Sequence, residues 1–275
     1  YQVHPPKIKR RAFLGFLCVA VHLVRELHLG NVNVLLLWCV VVALEAMLEE
    51  RDITAGLLLG LTFFVKPYLL LCVVPMVVLR RTAVLGWALV AVIIGLALPM
   101  LIEGPATGWS LNGSWVAAMR AHGDYLTSTN TLRSLLSTLV GRDLPARWDL
   151  LFIATAGVLV AAVTWLNGRK DRSQALILGL SVALACVPLL VVTDVQHFLL
   201  ALPLILWVLA QLFRWRSPLR AVVFTLAMLA YGTDSTDLWG SDLAARFEQV
   251  GLVGWGTLLL LLTAILAPHL PSRAS

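Results

Sequence analysis

The sequence predicts an all-α fold: a polytopic transmembrane helix bundle of about ten membrane segments, including one short helical hairpin. Three observations lead there. The 275 residues are 60% hydrophobic and 13% charged, about half the charged share of an ordinary soluble domain. Apolar runs approaching or exceeding the length of a membrane span recur along the chain, and charges gather between them. Lys and Arg are also distributed unevenly between alternate connections, as in chains oriented by a bilayer.

Read against the roughly 17 to 25 residues a spanning helix needs, the apolar runs fall at 12–24, 33–48, 53–79, 82–101, 149–166, 174–193, 198–213, 221–231 and 249–268. The run 53–79 is interrupted near its middle by Lys66-Pro67. Proline removes a helix hydrogen bond and drives the residue before it out of the α region. The run therefore reads as two short helices folded back on each other. Each half reaches only about 20 Å, short of the roughly 30 Å hydrocarbon core. Its tip belongs in a protein-lined or wet recess.

With the basic N-terminal residues Lys7, Lys9, Arg10 and Arg11 on the cytoplasmic side, this hairpin places 14 Lys/Arg and 5 Asp/Glu inside, a net +9. The outside holds 7 Lys/Arg and 10 Asp/Glu, a net −3. Counting 53–79 as one crossing spoils that bias, so the hairpin is favoured. Arg25 to Asn33, Lys66-Pro67, 102–148, Asp194-Val-Gln-His197 and 232–248 then share the extracytoplasmic face. Within 102–148, Trp115 to Tyr125 and Leu132 to Val140 have the spacing of interfacial helices. Trp109, Trp115 and Trp148 suit an aromatic belt. The whole chain, 1–275, reads as a single transmembrane domain with 102–148 as an extracytoplasmic interfacial segment.

One polar stretch stands apart. Arg25-Glu-Leu-His-Leu-Gly-Asn-Val-Asn33 gathers charges, a histidine and two carboxamides between apolar runs. Such groups are costly at membrane depth, and either a site or a polar connector explains them. The four cysteines, Cys18, Cys39, Cys72 and Cys186, lie inside apolar runs without ligand spacing, and read as small buried hydrophobes. The net charge of +6 comes without a basic stripe and interleaved aromatics, so no nucleic-acid partner is expected.

Leu29-Gly-Asn-Val-Asn33, Thr54-Ala-Gly-Leu-Leu-Leu-Gly-Leu61, Val65-Lys-Pro-Tyr-Leu-Leu70 and Arg80-Arg81 occur in the order found in one known family. Asn130-Thr-Leu-Arg-Ser-Leu-Leu136 and Asp194-Val-Gln-His-Phe198 with Leu202-Pro203 continue that order. Together they resemble the GT87-type membrane glycosyltransferases of GT-C fold, which use polyprenyl-phosphate-mannose. Asn31 replaces the glutamine of the family's G-Q-x-N pattern, a shorter carboxamide of the same chemistry.

The resemblance implies transfer of a hexose, mannose in the family, from a polyprenyl-phosphate-linked donor to a lipid or glycan acceptor. The reaction is placed on the extracytoplasmic side of the plasma membrane. It also implies a catalytic Asp in a first outer loop upstream of these motifs, so the chain reads as an N-terminally truncated fragment, inactive alone. Lys66, Arg25 and Arg133 are the cations expected at the donor phosphate, arginine because its planar fork can hold two oxygens. His197 is the expected catalytic side chain, shuttling a proton or donating to the phosphate. Glu26, Asn31, Asn33, Asn130 and Asp194 are expected to orient the sugar or acceptor.

Each of these residues also fits a structural role. Lys66 suits an ion pair with a carboxylate such as Glu26, Asn33 an N-cap of 34–48, and Asp194 a helix end. No cofactor is required, and the need for a divalent metal stays open. Asp234, Asp237 and Asp242 around Trp239 read as a solvated loop. Two other classes compete: a lipid-linked saccharide flippase, polymerase or other multi-pass transporter, and a non-catalytic scaffold.

Overall fold

A chain this apolar can satisfy its backbone in lipid only within helices or a closed barrel. In the computed structural model, which describes residues 5–121, 129–215 and 218–265, every regular element is helical. In chain order these are α1 (Pro5–Cys18), α2 (Ala20–Leu29), α3 (Asn33–Leu48), α4 (Asp52–Val65), the 3-10 segment Pro67–Cys72, α5 (Val73–Val78), α6 (Thr82–Glu103) and α7 (Pro105–Ala121). There follow α8 (Leu132–Val140), α9 (Arg147–Gly168), α10 (Arg172–Leu190), the 3-10 segment Val195–Ala201 and α11 (Leu202–Trp215). Last come α12 (Pro218–Tyr231), α13 (Thr236–Trp239), α14 (Ser241–Val250) and α15 (Leu252–Ile265). The expected helix reaching Tyr125 and the run reaching 268 extend partly outside the described residues.

Among the described residues, four stretches are long and apolar enough to cross a bilayer: α6, α9, α10 and Val195–Leu212. The bent pairs α1–α2, at 67°, and α14–α15, at 54°, raise the number to six. The remaining apolar helices, α3, α4, Pro67–Val78 and α12, are shorter than 18 residues. Length therefore separates these four to six spans from the ten segments that hydropathy alone counts. The stretch expected as a solvated loop after α12 carries two helices, α13 and α14.

The chain reverses at Lys66-Pro67 and returns to the end it left. Arg81 lies 3.8 Å from the Asp52 carboxylate and donates to the Met47 carbonyl at 3.3 Å. Arg172 donates to the Leu79 carbonyl at 2.7 Å, which brings the start of α10 to this same end. The two legs nevertheless diverge. α4 packs on α3 and α6, whereas Pro67–Cys72 and α5 pack on α9 and α10.

The seam between α4 and α6 follows from the small residues of Thr54 to Leu61. Gly56 and Gly60 are four apart and share a helix face. A Cβ on Gly56 would stand 2.6 Å from the Val84 carbonyl oxygen, and one on Gly60 2.3 Å from that of Ala88. Such close backbone approach is a general basis of helix association in lipid. α10 is the central post, with 78% of its spanning window buried against 6% for α6.

α6 runs past Gly95, which faces the Phe64 ring, for eight more residues to Glu103, about 12 Å. α7 then turns back along it. Gly108 meets the Met100 backbone, and the Asn112 side-chain amide donates to the Leu96 carbonyl at 2.9 Å. Trp115 stacks on Phe64 with ring centroids 5.3 Å apart. This descent carries Met119 down to the cavity described next.

Candidate functional site

The site is built on a helix end. α2 stops at Gly30, whose φ of +64° lies in the left-handed region that glycine adopts without strain. The Asn31 N–H closes the turn by donating to the Glu26 carbonyl at 3.2 Å. That reversal lays the first residues of α3 over the Glu26 side chain, which is fully buried. Its carboxylate accepts from the Asn33 N–H at 2.5 Å and from the Val34 N–H at 3.3 Å. The Asn33 side-chain amide adds a third bond at 2.8 Å. Glu26 thus meets the positive N-terminus of α3, where a carboxylate is favoured. Three donors offset much of the cost of burying it.

Because the NH2 group of Asn33 is committed to Glu26, its carbonyl oxygen faces the other way. Lys66 donates to that oxygen at 2.7 Å. Pro67 holds Lys66 in an extended conformation, φ −136° and ψ 91°, at the end of α4. The Lys66 ammonium also lies 2.8 Å from His197 Nε2, and the Tyr68 hydroxyl lies 2.7 Å from the same nitrogen. His197 Nδ1 is 3.0 Å from the Asp194 carbonyl, which can only accept. The proton therefore sits on Nδ1, and Lys66 and Tyr68 share the single lone pair of Nε2. Among the described residues Lys66 forms no salt bridge.

These groups border a cavity of about 240 Å³. Val32, Val65 and Met119 form its apolar wall, while Asn31, Lys66, Tyr68, Asp194 and His197 supply polar atoms. Beside it runs an apolar groove of about 360 Å³, lined by Pro67, Leu70, Leu71, Ile153 and Leu190. Tyr68 borders both. A cation in a recess with an apolar channel alongside can receive an anionic headgroup and its hydrocarbon chain.

The structure brings Lys66, His197, Asn31, Asn33, Asp194 and Glu26 to this one place, with Glu26 behind Asn33. It places the other three elsewhere. Arg25 pairs with Asp234, whose carboxyl is pushed above the usual range by burial, with Arg25 opposing that shift. Arg133 Nε lies 3.4 Å from Asp149. The Asn130 side-chain carbonyl accepts from the Gly254 N–H at 2.9 Å, docking the start of the α8 segment onto α15. Gly254 permits this close approach, since a Cβ there would lie 2.6 Å from the Asn130 backbone carbonyl oxygen.

Tyr68 and Met119 are cavity residues that the sequence reading did not single out. Tyr68 was within reach, since it follows the Lys-Pro break by one residue. Met119 depends on the return of α7, which no local pattern signals. Among the described residues no group of three or more His, Cys, Asp or Glu side chains could hold a metal ion.

The sequence model of Glycosyltransferase family 87 matches residues 5–193. That range contains every element of the resemblance up to Asn130–Leu136, and the Asp194–Pro203 element lies just beyond it. No curated protein and no solved structure matches the chain.

Proposed function

The chain belongs to glycosyltransferase family 87, and from that premise we propose that it moves a hexose, mannose by resemblance, from a polyprenyl-phosphate donor to a lipid or glycan acceptor. The observation that carries this reading is Lys66. Its ammonium borders the cavity and, among the described residues, its hydrogen bonds go to neutral acceptors, the Asn33 carbonyl and His197 Nε2, with the Glu26 and Asp194 carboxylates acting on it from beyond contact. A phosphate entering the cavity supplies an anion in direct contact, which neither Glu26 nor Asp194 does, and Lys66 can turn to it while Tyr68 keeps its bond to His197.

In the transfer, an acceptor hydroxyl oxygen bonds to the anomeric carbon as the bond from that carbon to the phosphate oxygen breaks. The electron pair leaves with the phosphate, where Lys66 stabilises it. The acceptor proton passes to a carboxylate base of the class the family resemblance implies. Asn31 and Asp194 border the space beside Lys66 and suit sugar hydroxyls. The polyprenyl chain lies in the groove past Tyr68. The shorter apolar helices are read as further passes through the bilayer. The basic end, with Arg80, Arg81, Arg169, Lys170 and Arg172, is read as cytoplasmic and the cavity as extracytoplasmic.

The test is transfer of labelled mannose from polyprenyl-phosphate-mannose by the full-length protein in vesicles. Lys66→Ala is expected to lower turnover on the order of 100-fold or more, as removal of a charge-stabilising donor does elsewhere. Wild-type turnover in that variant, at equal amounts of inserted protein, overturns the reading.

A further inference from the structure

We propose that Glu26 is a positioning residue: its buried carboxylate fixes the orientation of the Asn33 amide and thereby aims Lys66 into the cavity. This rests on the glycosyl-transfer reading above for its consequence, but not for its geometry. Glu26 does not border the cavity, and its side chain is fully buried. Both carboxylate oxygens are engaged: one accepts from the Asn33 and Val34 N–H groups, the other from the Asn33 side-chain amide. A carboxylate so filled and so buried is not placed to take a sugar hydroxyl.

Its leverage comes from the asymmetry of a carboxamide. An Asn side chain has a donor end and an acceptor end, and its two orientations differ little in shape. A carboxylate can only accept, so it holds the NH2 end of Asn33 toward itself. The oxygen is then turned to Lys66, which donates to it at 2.7 Å. Should the amide reverse, two N–H donors would face an ammonium, and Lys66 would lose one of the two acceptors that fix its position. The Glu26 charge also favours the ammonium from behind, through one intervening side chain.

Glu26→Gln separates this role from mere capping of α3. Glutamine still offers a carbonyl to the α3 N–H groups, but its NH2 then meets the NH2 of Asn33 and drives one of them to turn. The double variant Glu26→Gln/Asn33→Asp moves the carboxylate across the pair. The carboxylate now at position 33 accepts from the amide at position 26 and from Lys66, and that amide keeps its carbonyl for α3. Every donor again has an acceptor, and the total charge is unchanged.

The experiment uses the full-length protein in nanodiscs with two readouts. The first is kcat and KM for mannose transfer from polyprenyl-phosphate-mannose. The second, independent of activity, is the acylation rate of Lys66 by an amine-selective reagent, resolved by mass spectrometry from Lys7, Lys9 and Lys170. Glu26→Gln and Asn33→Asp singly are expected to lower kcat on the order of 100-fold, the scale of a misplaced reacting group. In both, Lys66 acylation changes by about threefold or more, and the double variant returns kcat to within about tenfold of wild type and Lys66 acylation to within about 1.5-fold. If Glu26→Gln does not insert, Asn33→Ala must show the same loss of kcat.

Wild-type kcat and Lys66 acylation in Glu26→Gln overturn the proposal. So does a lower folded yield with both readouts normal per folded molecule, which marks a capping role alone. An altered and rescued Lys66 acylation in a protein whose wild type transfers no sugar leaves the positioning role standing and removes the glycosyl-transfer reading instead.

Discussion

The two ends of the bundle carry the same residue types and use them differently. At the basic end, Glu49 and Arg51 pair in the open, their side chains each about half exposed at 54% and 51%. Arg81 reaches Asp52 and the Met47 carbonyl from partly exposed positions. At the cavity end, Glu26 is fully buried, His197 is 1% exposed, and Lys66 is held by neutral acceptors. At the basic end each of these charges has a counterion of its own close by. A charge hydrogen-bonded to neutral groups at the edge of a cavity remains available to a ligand, and among the described residues this end carries the candidate site.

The two ends also turn the chain differently. The basic end places non-glycine residues in the left-handed region, Glu50 at φ 60° and Arg80 at φ 56°. Each turn is closed by a bond across five residues, Arg51 N–H to the Ala46 carbonyl and Arg81 N–H to the Met76 carbonyl. The cavity end uses Gly30, where the same φ carries no side-chain penalty.

Removing one positive charge at each end gives the sharpest contrast. Lys66→Ala costs the 100-fold or more in transfer stated above. Arg81→Ala leaves turnover within about twofold and lowers stability by about 1 kcal/mol, the scale of a partly exposed ion pair with one hydrogen bond to a carbonyl, as read by thermal unfolding in detergent. Comparable losses of turnover in the two variants would erase the distinction. A smaller effect is expected from Tyr68→Phe, which deletes one neutral hydrogen bond to His197 Nε2 and lowers kcat by about tenfold. The smallest is Glu50→Gly. It relieves a left-handed conformation but adds freedom to the unfolded chain, so stability rises by at most about 1 kcal/mol with turnover unchanged.

Much of this end-to-end pattern is legible in the sequence, and the missing parts have identifiable causes. Lys66-Pro67 marks the hairpin because proline acts locally on the residue beside it. The 67° bend between α1 and α2 has no such marker: its junction, Val19, is an ordinary apolar residue fully buried by tertiary packing. α6 and α10 are both apolar on every side, yet one lies at the rim and the other at the centre. Lipid and protein interior are equally apolar, so periodicity cannot separate them.

The site shows the same division. Lys66 stands out as a charge in the middle of an apolar run, and His197 and Asn31 as polar residues at the edge of one. The partners of Arg25 and Arg133, Asp234 and Asp149, are set by the fold. So is the grip of Glu26 on Asn33, which depends on the turn at Gly30 bringing two residues seven apart face to face. The transporter and scaffold classes, open on the sequence alone, give way to family membership across residues 5–193.

Lys66, in a cavity with an apolar groove beside it, is proposed to receive an anionic lipid headgroup. Affinity for a short-chain polyprenyl phosphate, measured on the full-length protein in nanodiscs for wild type and Lys66→Met, tests it most directly. Saturable wild-type binding that weakens by about tenfold or more in Lys66→Met is the expected result, the scale of one charge-assisted hydrogen bond. Equal affinities in the two proteins would contradict it.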